Sequence, residues 1–223
     1  MVYHVDHPKK KDDDALRAWI EGELRPRIDA CHADPTTLVL FTDGSAHLDE
    51  RRSAAGYEAY VGGKRIRSHA VQTGAAHSYY AELMPLYMAI GFARLKSLHT
   101  AHIFTENEAS AKAVLDVSVH AGQPFALNAC RILREWFEHH PDNTLHISYY
   151  PSHVHVGIRE NESVDLLVGQ IANSDARGTR LRGPIPETLS FANARTAAAL
   201  REGWAADAQA KPDVYFGRDY PKY

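Results

Sequence analysis

Near the start of the chain apolar residues recur at four-residue spacing, at Leu16, Ile20, Leu24 and Ile28, behind the charged run Lys9-Lys-Lys-Asp-Asp-Asp14. This pattern predicts an amphipathic docking helix after a solvated polar start. From Thr37 the pattern shortens to strand length. Residues 38–41, 54–61 and 65–72 are apolar or alternating and are separated by turn signals such as Gly62-Gly63, so they predict three antiparallel strands. A helical pattern over 78–95 runs through Leu83, Leu86, Tyr87 and Ile90, with Pro85 early enough to bend it rather than stop it. Residues 101–105 predict a fourth strand and 107–115 a short helix. Gly122-Gln-Pro124 then breaks the chain before a longer helix through Ile132, Leu133, Trp136 and Phe137, ended by Pro141. A fifth strand over 145–150 and a helix over 160–171 complete the pattern.

A hairpin meander followed by strands alternating with helices predicts an α/β fold. Its core is a five-stranded mixed sheet in the order βββαβαβα, with an extra helix, flanked by helices. Three regions follow: residues 1–36 as polar start and docking helix, 37–172 as the catalytic-sized domain, and 173–223 as an appendage. The appendage carries Arg177-Gly-Thr-Arg-Leu-Arg-Gly183, then Pro184 and Pro186, then an Ala-rich helical stretch over 190–210. No internal repeat is present.

Composition narrows the function classes. At 223 residues the chain supports one substantial core. A formal charge of −3 argues against gripping nucleic acid by bulk charge, so any such binding rests on local patches. Two cysteines far apart, Cys31 and Cys130, suggest a reducing compartment without a disulfide framework. Neither a secretory signal nor a membrane-length apolar run is visible, so the expected location is cytoplasmic or nuclear, away from membranes.

The candidate chemistry begins at Leu38-Val-Leu-Phe-Thr-Asp-Gly-Ser45, an apolar strand that ends in a carboxylate, a glycine and a hydroxyl. Three more acids fall at element ends of the predicted layout: Glu82 early in the first core helix, Glu106 just past the fourth strand, and Asp165 in the last helix. Acids delivered by several elements suit a hard cation that prefers oxygen ligands and keeps part of its water shell. Gathered together they would repel one another, which raises the pKa of some of them.

The local motifs around these acids resemble those of type 1 ribonucleases H, most closely the ribonuclease H segments of fungal non-LTR retrotransposons. They are Thr42-Asp-Gly-Ser45, Tyr80-Ala-Glu-Leu-Met84, Ile103-Phe-Thr-Glu-Asn-Glu-Ala109, and the block from Pro151 to Asp165 with His-Val-Gly-Ile, Asn-Glu and aspartate in order. The similarity covers about residues 37–172. It implies a ribonuclease H-like fold and a two-metal endonuclease that cuts the RNA strand of RNA/DNA hybrids. The implied ligands of two Mg²⁺ ions, for which Mn²⁺ can substitute, are Asp43, Glu82, Glu106 and Asp165. His155 aligns with the family histidine that assists water or product, with His153 as the rival. Gly44, Ser45 and Asn107 are the expected substrate-binding positions. The implied partners are an RNA/DNA hybrid and a reverse transcriptase polymerase domain.

One residue departs from the pattern. Glu106 stands where the family usually has aspartate, and a displacement of about 1 Å in such a site can cost ~100-fold in rate. The expectation is a weakened or Mn²⁺-favouring enzyme, with a catalytically inactive module that binds nucleic acid or a protein partner as the alternative. Basic groups at Lys64, Arg65 and Arg67, and at Arg131 and Arg134, are candidates for phosphate contact or for a solvated face.

Overall fold

The computed structural model describes residues 2–4, 13–47, 52–74, 78–120, 122–151 and 157–174. Its six strands are β1 (Val2–His4), β2 (Thr37–His47), β3 (Arg52–Val61), β4 (Lys64–Gln72), β5 (Thr100–Thr105) and β6 (Thr144–Tyr149). The helices are α1 (Asp13–Trp19), α2 (Arg25–Ala33), α3 (Ser78–Arg94), α4 (Glu108–Ala113), α5 (Gln123–His139) and α6 (Arg159–Asn173). The strands form one sheet in the order β1-β6-β5-β2-β3-β4. β2, β3 and β4 run antiparallel to one another, whereas β2, β5, β6 and β1 are parallel. The five predicted strands are therefore the mixed sheet expected from the pattern. β1 is an addition: three residues without a readable period pair with β6 through Val2↔His146 and Ser148↔His4 and extend the parallel edge.

Both faces of the sheet are covered, which is why β2 reads as a continuous apolar run instead of an alternating one. Leu38 and Leu40 point into a core with α3, α5, Ile103 and Ile147. Val39 and Phe41 point the other way, into a second core with Phe104, Tyr150, Ile158 and Val164. Leu16, Ile20, Leu24 and Ile28 belong to that second core and are buried. The four-residue stripe thus docks on the sheet, although not as one regular helix: residues Ile20–Leu24 form a π-helical turn between α1 and α2. Such a turn shifts the buried stripe while keeping the chain helical, a change of phase that apolar spacing does not encode.

Buried polar groups are tied into the packing. The Glu58 carboxylate on β3 accepts hydrogen bonds from the Tyr60 hydroxyl at 2.6 Å, Arg65 at 2.7 Å and Ser68 at 3.1 Å. His102 on β5 lies 3.1 Å from the Cys31 thiol of α2 and 2.8 Å from the Ser148 hydroxyl of β6, with its ring stacked on Phe104. These links join α2 to β5 and β6, so the N-terminal helix is bound to the sheet by polar as well as apolar contact. A buried charge with several partners avoids the desolvation cost of an unpaired one.

Leu24 is fully buried where the π-helical turn meets α2. Leu24→Ala should lower the free energy of unfolding in urea by about 2–5 kcal/mol, the range for emptying a packed leucine site. A loss of less than about 0.5 kcal/mol, typical of surface positions, would mean that the N-terminal helices do not support the core.

Candidate functional site

The parallel register of β2 and β5 sets up the site. Thr42 pairs with Thr105 as the last rung between these strands. The next residues, Asp43 and Glu106, therefore leave adjacent strands at the same carboxyl end, the location where open α/β sheets place ligands. β2 itself does not stop at Phe41 as its apolar run suggests. It continues to His47 because β3 keeps pairing with it, including Asp43↔Gly56 and His47↔Arg52. Asp43 is thus held rigidly inside a strand on one side while its other neighbour strand has ended.

Alternation along β2 assigns the two sides of the sheet. Asp43 shares the parity of Val39 and Phe41 and lies towards α6; Gly44 shares the parity of Leu38 and Leu40 and lies towards α3. A Cβ on Gly44 would sit 2.1 Å from the Ala81 carbonyl oxygen. Only glycine lets α3 approach this closely, and that approach brings Glu82, the residue after Ala81, to the end of β2. Asp165 comes from the second turn of α6, on the opposite side of the sheet.

Electrostatics show that the acids meet. Burial, the charge of Glu106 and the carboxyl of Asp165 raise the pKa of Asp43 to about 7, against the N–H of Gly44, which donates to the carboxylate and lowers it. Burial is again the largest cause for Glu82, followed by Asp43 and Glu106, and its pKa rises to about 9. Asp43 also lies within hydrogen-bonding reach of Asp165. The phenol of Tyr150 is raised well above its usual value by complete burial and by the charges of Glu106, Asp43 and Glu82. The fold therefore brings together Asp43, Glu82, Glu106 and Asp165 from β2, α3, the end of β5 and α6.

Their donor set consists of carboxylate oxygens alone, which fits a hard divalent cation. Among the described residues no three such groups close into a ready-made cage for one ion.

The other predicted positions fall as follows. Ser45 continues β2 opposite Ala54, half-buried one step beyond Gly44. Asn107 caps α4, its side-chain oxygen accepting from the Ser110 N–H at 2.8 Å. His155 and His153 lie outside the described residues, as does the Arg177–Arg182 segment. The stretch that follows the two histidines is braced: Arg25 donates to the Gly157 carbonyl at 3.2 Å, and Gly157 has a φ of +59° that favours glycine. Of the basic candidates, Arg65 is engaged by Glu58 and Ser163, and Arg131 and Arg134 lie 3.8 and 3.9 Å from Glu135 and Glu138 on the exposed face of α5.

Two residues of the site carry no role in the sequence reading. The Tyr150 hydroxyl donates to the Asn161 side-chain oxygen, and the Asn161 amide donates to Glu106. Asn161 lies in the Asn-Glu motif, whose spacing does not encode which acid it touches.

A mixed sheet that gathers self-repelling carboxylates at the carboxyl ends of its parallel strands defines an α/β protein with an acidic centre. The chain belongs to the RNase H family, whose model matches residues 35–173. Among solved structures it is similar to an RNase H1 isolated from compost by a metagenomic approach, with 15% identity over 61% of this chain and 96% of that one, at a TM-score of 0.47. It is also similar to RNase H1 from the halophilic archaeon Halobacterium salinarum, with 16% identity over 60% of this chain and 96% of that one, at a TM-score of 0.45. A foamy viral protease-reverse transcriptase in complex with RNA/DNA hybrid matches with 18% identity over 64% of this chain but only 20% of its own, at a TM-score of 0.49. No curated protein sequence matches significantly. No helix among the described residues is long and apolar enough to cross a membrane.

The raised acids give stability a defined pH dependence. Between its ordinary and its raised pKa each acid holds more proton in the folded chain than in the unfolded one, so stability falls as pH climbs through that interval. The interval runs from 3.8 to about 7 for Asp43 and from 4.5 to about 9 for Glu82. In metal-free buffer the melting temperature should therefore drop between about pH 5 and pH 9, and Asp43→Asn should flatten the lower half of that slope. A wild-type profile that stays level or rises over this range would show that the carboxylates do not interact.

Proposed function

We propose that the chain is a divalent-metal-dependent endonuclease that hydrolyses the RNA strand of RNA/DNA hybrids, with Asp43, Glu82, Glu106 and Asp165 as metal ligands. The observation that carries this reading is the convergence of Asp43, Glu106 and Glu82 at the carboxyl ends of β2 and β5, set by the Thr42↔Thr105 rung and the close approach of Ala81 to Gly44, inside the segment matched by the RNase H family; burial, then neighbouring acids, raise Asp43 and Glu82 there. An elevated acid cluster binds a cation with relief of its own repulsion.

Bound there, two Mg²⁺ or Mn²⁺ ions would supply Lewis-acid stabilisation of the attacking water and the leaving 3′-oxygen. The chain's own residues do the rest. β2 and β5 hold Asp43 and Glu106 side by side, and the Gly44–Ala81 contact fixes Glu82 against them. His155 acts in proton transfer near the phosphate, a task suited to an imidazole that titrates near neutrality. Ser45 and the backbone around Gly44 contact the hybrid, and the 2′-hydroxyls distinguish its RNA strand. Asn107 joins them through the part of its amide not used in capping α4. A formal charge of −3 leaves hybrid affinity to local basic patches and keeps it weak, and a reverse transcriptase polymerase domain would be the neighbour that strengthens it.

A nucleic-acid-binding module without hydrolysis is the second reading, motivated by glutamate at position 106. The hydrogen bond from Asn161 to Glu106 favours the first, since it holds the longer side chain in a defined place.

The test is cleavage of an end-labelled RNA/DNA hybrid in Mg²⁺ and in Mn²⁺. Wild-type protein should cut only the RNA strand and leave 5′-phosphates, and Asp43→Asn should lose at least about 100-fold in rate. Binding of the hybrid without cleavage in either metal would transfer the conclusion to the second reading.

A further inference from the structure

Glu106 is the one acid of the site that differs in length from its family pattern, and it is also the acid with a built support. Tyr150 follows β6 directly, and its backbone N–H donates to the Thr105 carbonyl at 3.1 Å, so Tyr150 is pinned beside the residue preceding Glu106. Its ring is buried in the second core with Phe41, Ile158 and Val164. From there its hydroxyl donates to the Asn161 oxygen, and the Asn161 nitrogen donates to Glu106. Asn161 sits in the first turn of α6, its own N–H bonded to the Ile158 carbonyl at 3.0 Å. Both ends of the bridge are therefore anchored by backbone that does not depend on Glu106.

The direction of the bridge is set by chemistry. A carboxylate only accepts, so it takes the amide N–H₂ of Asn161, which leaves the Asn161 carbonyl to accept from the Tyr150 phenol. Shortening Glu106 by one methylene would withdraw the carboxylate by about 1.5 Å, beyond the range in which the amide still bonds to it. Glutamate, not aspartate, reaches this support.

We propose that Tyr150 and Asn161 are positioning residues that hold Glu106 at the metal site, and that the site is built for glutamate at this position. The proposal rests on the nuclease reading above and replaces the expected attenuation with a matched second layer. Partners behind a ligand commonly carry a tenfold or greater share of metal affinity or activity.

The test is a double-mutant comparison of Tyr150→Phe, which removes only the hydroxyl, in the wild-type and Glu106→Asp backgrounds. The readings are the Mn²⁺ midpoint from thermal stabilisation and the kcat and KM for hybrid cleavage. In the wild-type background Tyr150→Phe should weaken the Mn²⁺ midpoint and lower kcat, each by about 10-fold, with KM for the hybrid unchanged. Glu106→Asp should itself lower kcat, and in that background Tyr150→Phe should change both readings by less than about twofold, because the bridge is already broken. Asn161→Ala, at a half-buried position, gives the same readings should Tyr150→Phe fail to fold. Equal losses in the two backgrounds, or higher kcat in Glu106→Asp, would overturn the proposal while leaving the nuclease intact. A wild-type protein that neither binds metal nor cleaves would overturn both.

Discussion

The structure turns on the repulsion among carboxylates brought out of water at one end of a sheet. Burial of Asp43, then the charges of Glu106 and Asp165, raise its pKa to about 7, and burial, then Asp43 and Glu106, raise that of Glu82 to about 9. Such a cluster opposes folding and persists only where the surrounding backbone over-determines it. Here the restraint comes from β2, which is paired with β3 beyond Asp43, and from α3, which is pressed on Gly44. On the far side, α6 is fastened to the sheet through Val164 and Val168, and Gln72 of β4 donates to the carbonyl oxygens of Ile171 and Ser174. The N-terminal helices belong to the same restraint. They fill the core under β2 and, through Arg25, hold the Gly157 carbonyl just ahead of α6.

Much of this was legible in the chain. The apolar runs located β2, β3, β5 and β6 because each is largely buried, whereas β4, exposed from Lys64 to Ser68, was marked by the Gly62-Gly63 turn before it. The Asn-Glu and Gly-Ile spacing before Asp165 marked the last helix and its acid, and with the other motifs led to the family that residues 35–173 match. Other features left no local trace. β1 is three residues long and exists only because β6 offers an unpaired edge. The extension of β2 to His47 is dictated by its partner β3, not by hydrophobicity. The π-helical turn at Ile20–Leu24 preserves the stripe of buried residues, so the stripe cannot reveal it.

Glu106 shows how a residue that looks wrong by itself acquires a reason from contacts distant in sequence. Read alone, the additional methylene predicts a misplaced ligand. The Asn161 amide and the Tyr150 phenol, 55 and 44 positions further on, supply a receiving surface at the longer reach. No periodicity links these three residues; the β5–β6 pairing and the start of α6 do. Asn107 makes the converse point, since an amide that the motif assigns to substrate also serves the local need of capping α4.

The most direct measurement of the central claim is the melting temperature of the purified protein at about pH 8, with and without millimolar Mn²⁺ or Mg²⁺, for wild type and Asp43→Asn. If the acids form one self-repelling cluster, either cation should raise the wild-type melting temperature, and the Asp43→Asn protein, already relieved of one charge, should melt higher without metal and gain less from it. A wild-type protein whose melting temperature ignores both cations, with Asp43→Asn no more stable than wild type in metal-free buffer, would contradict it.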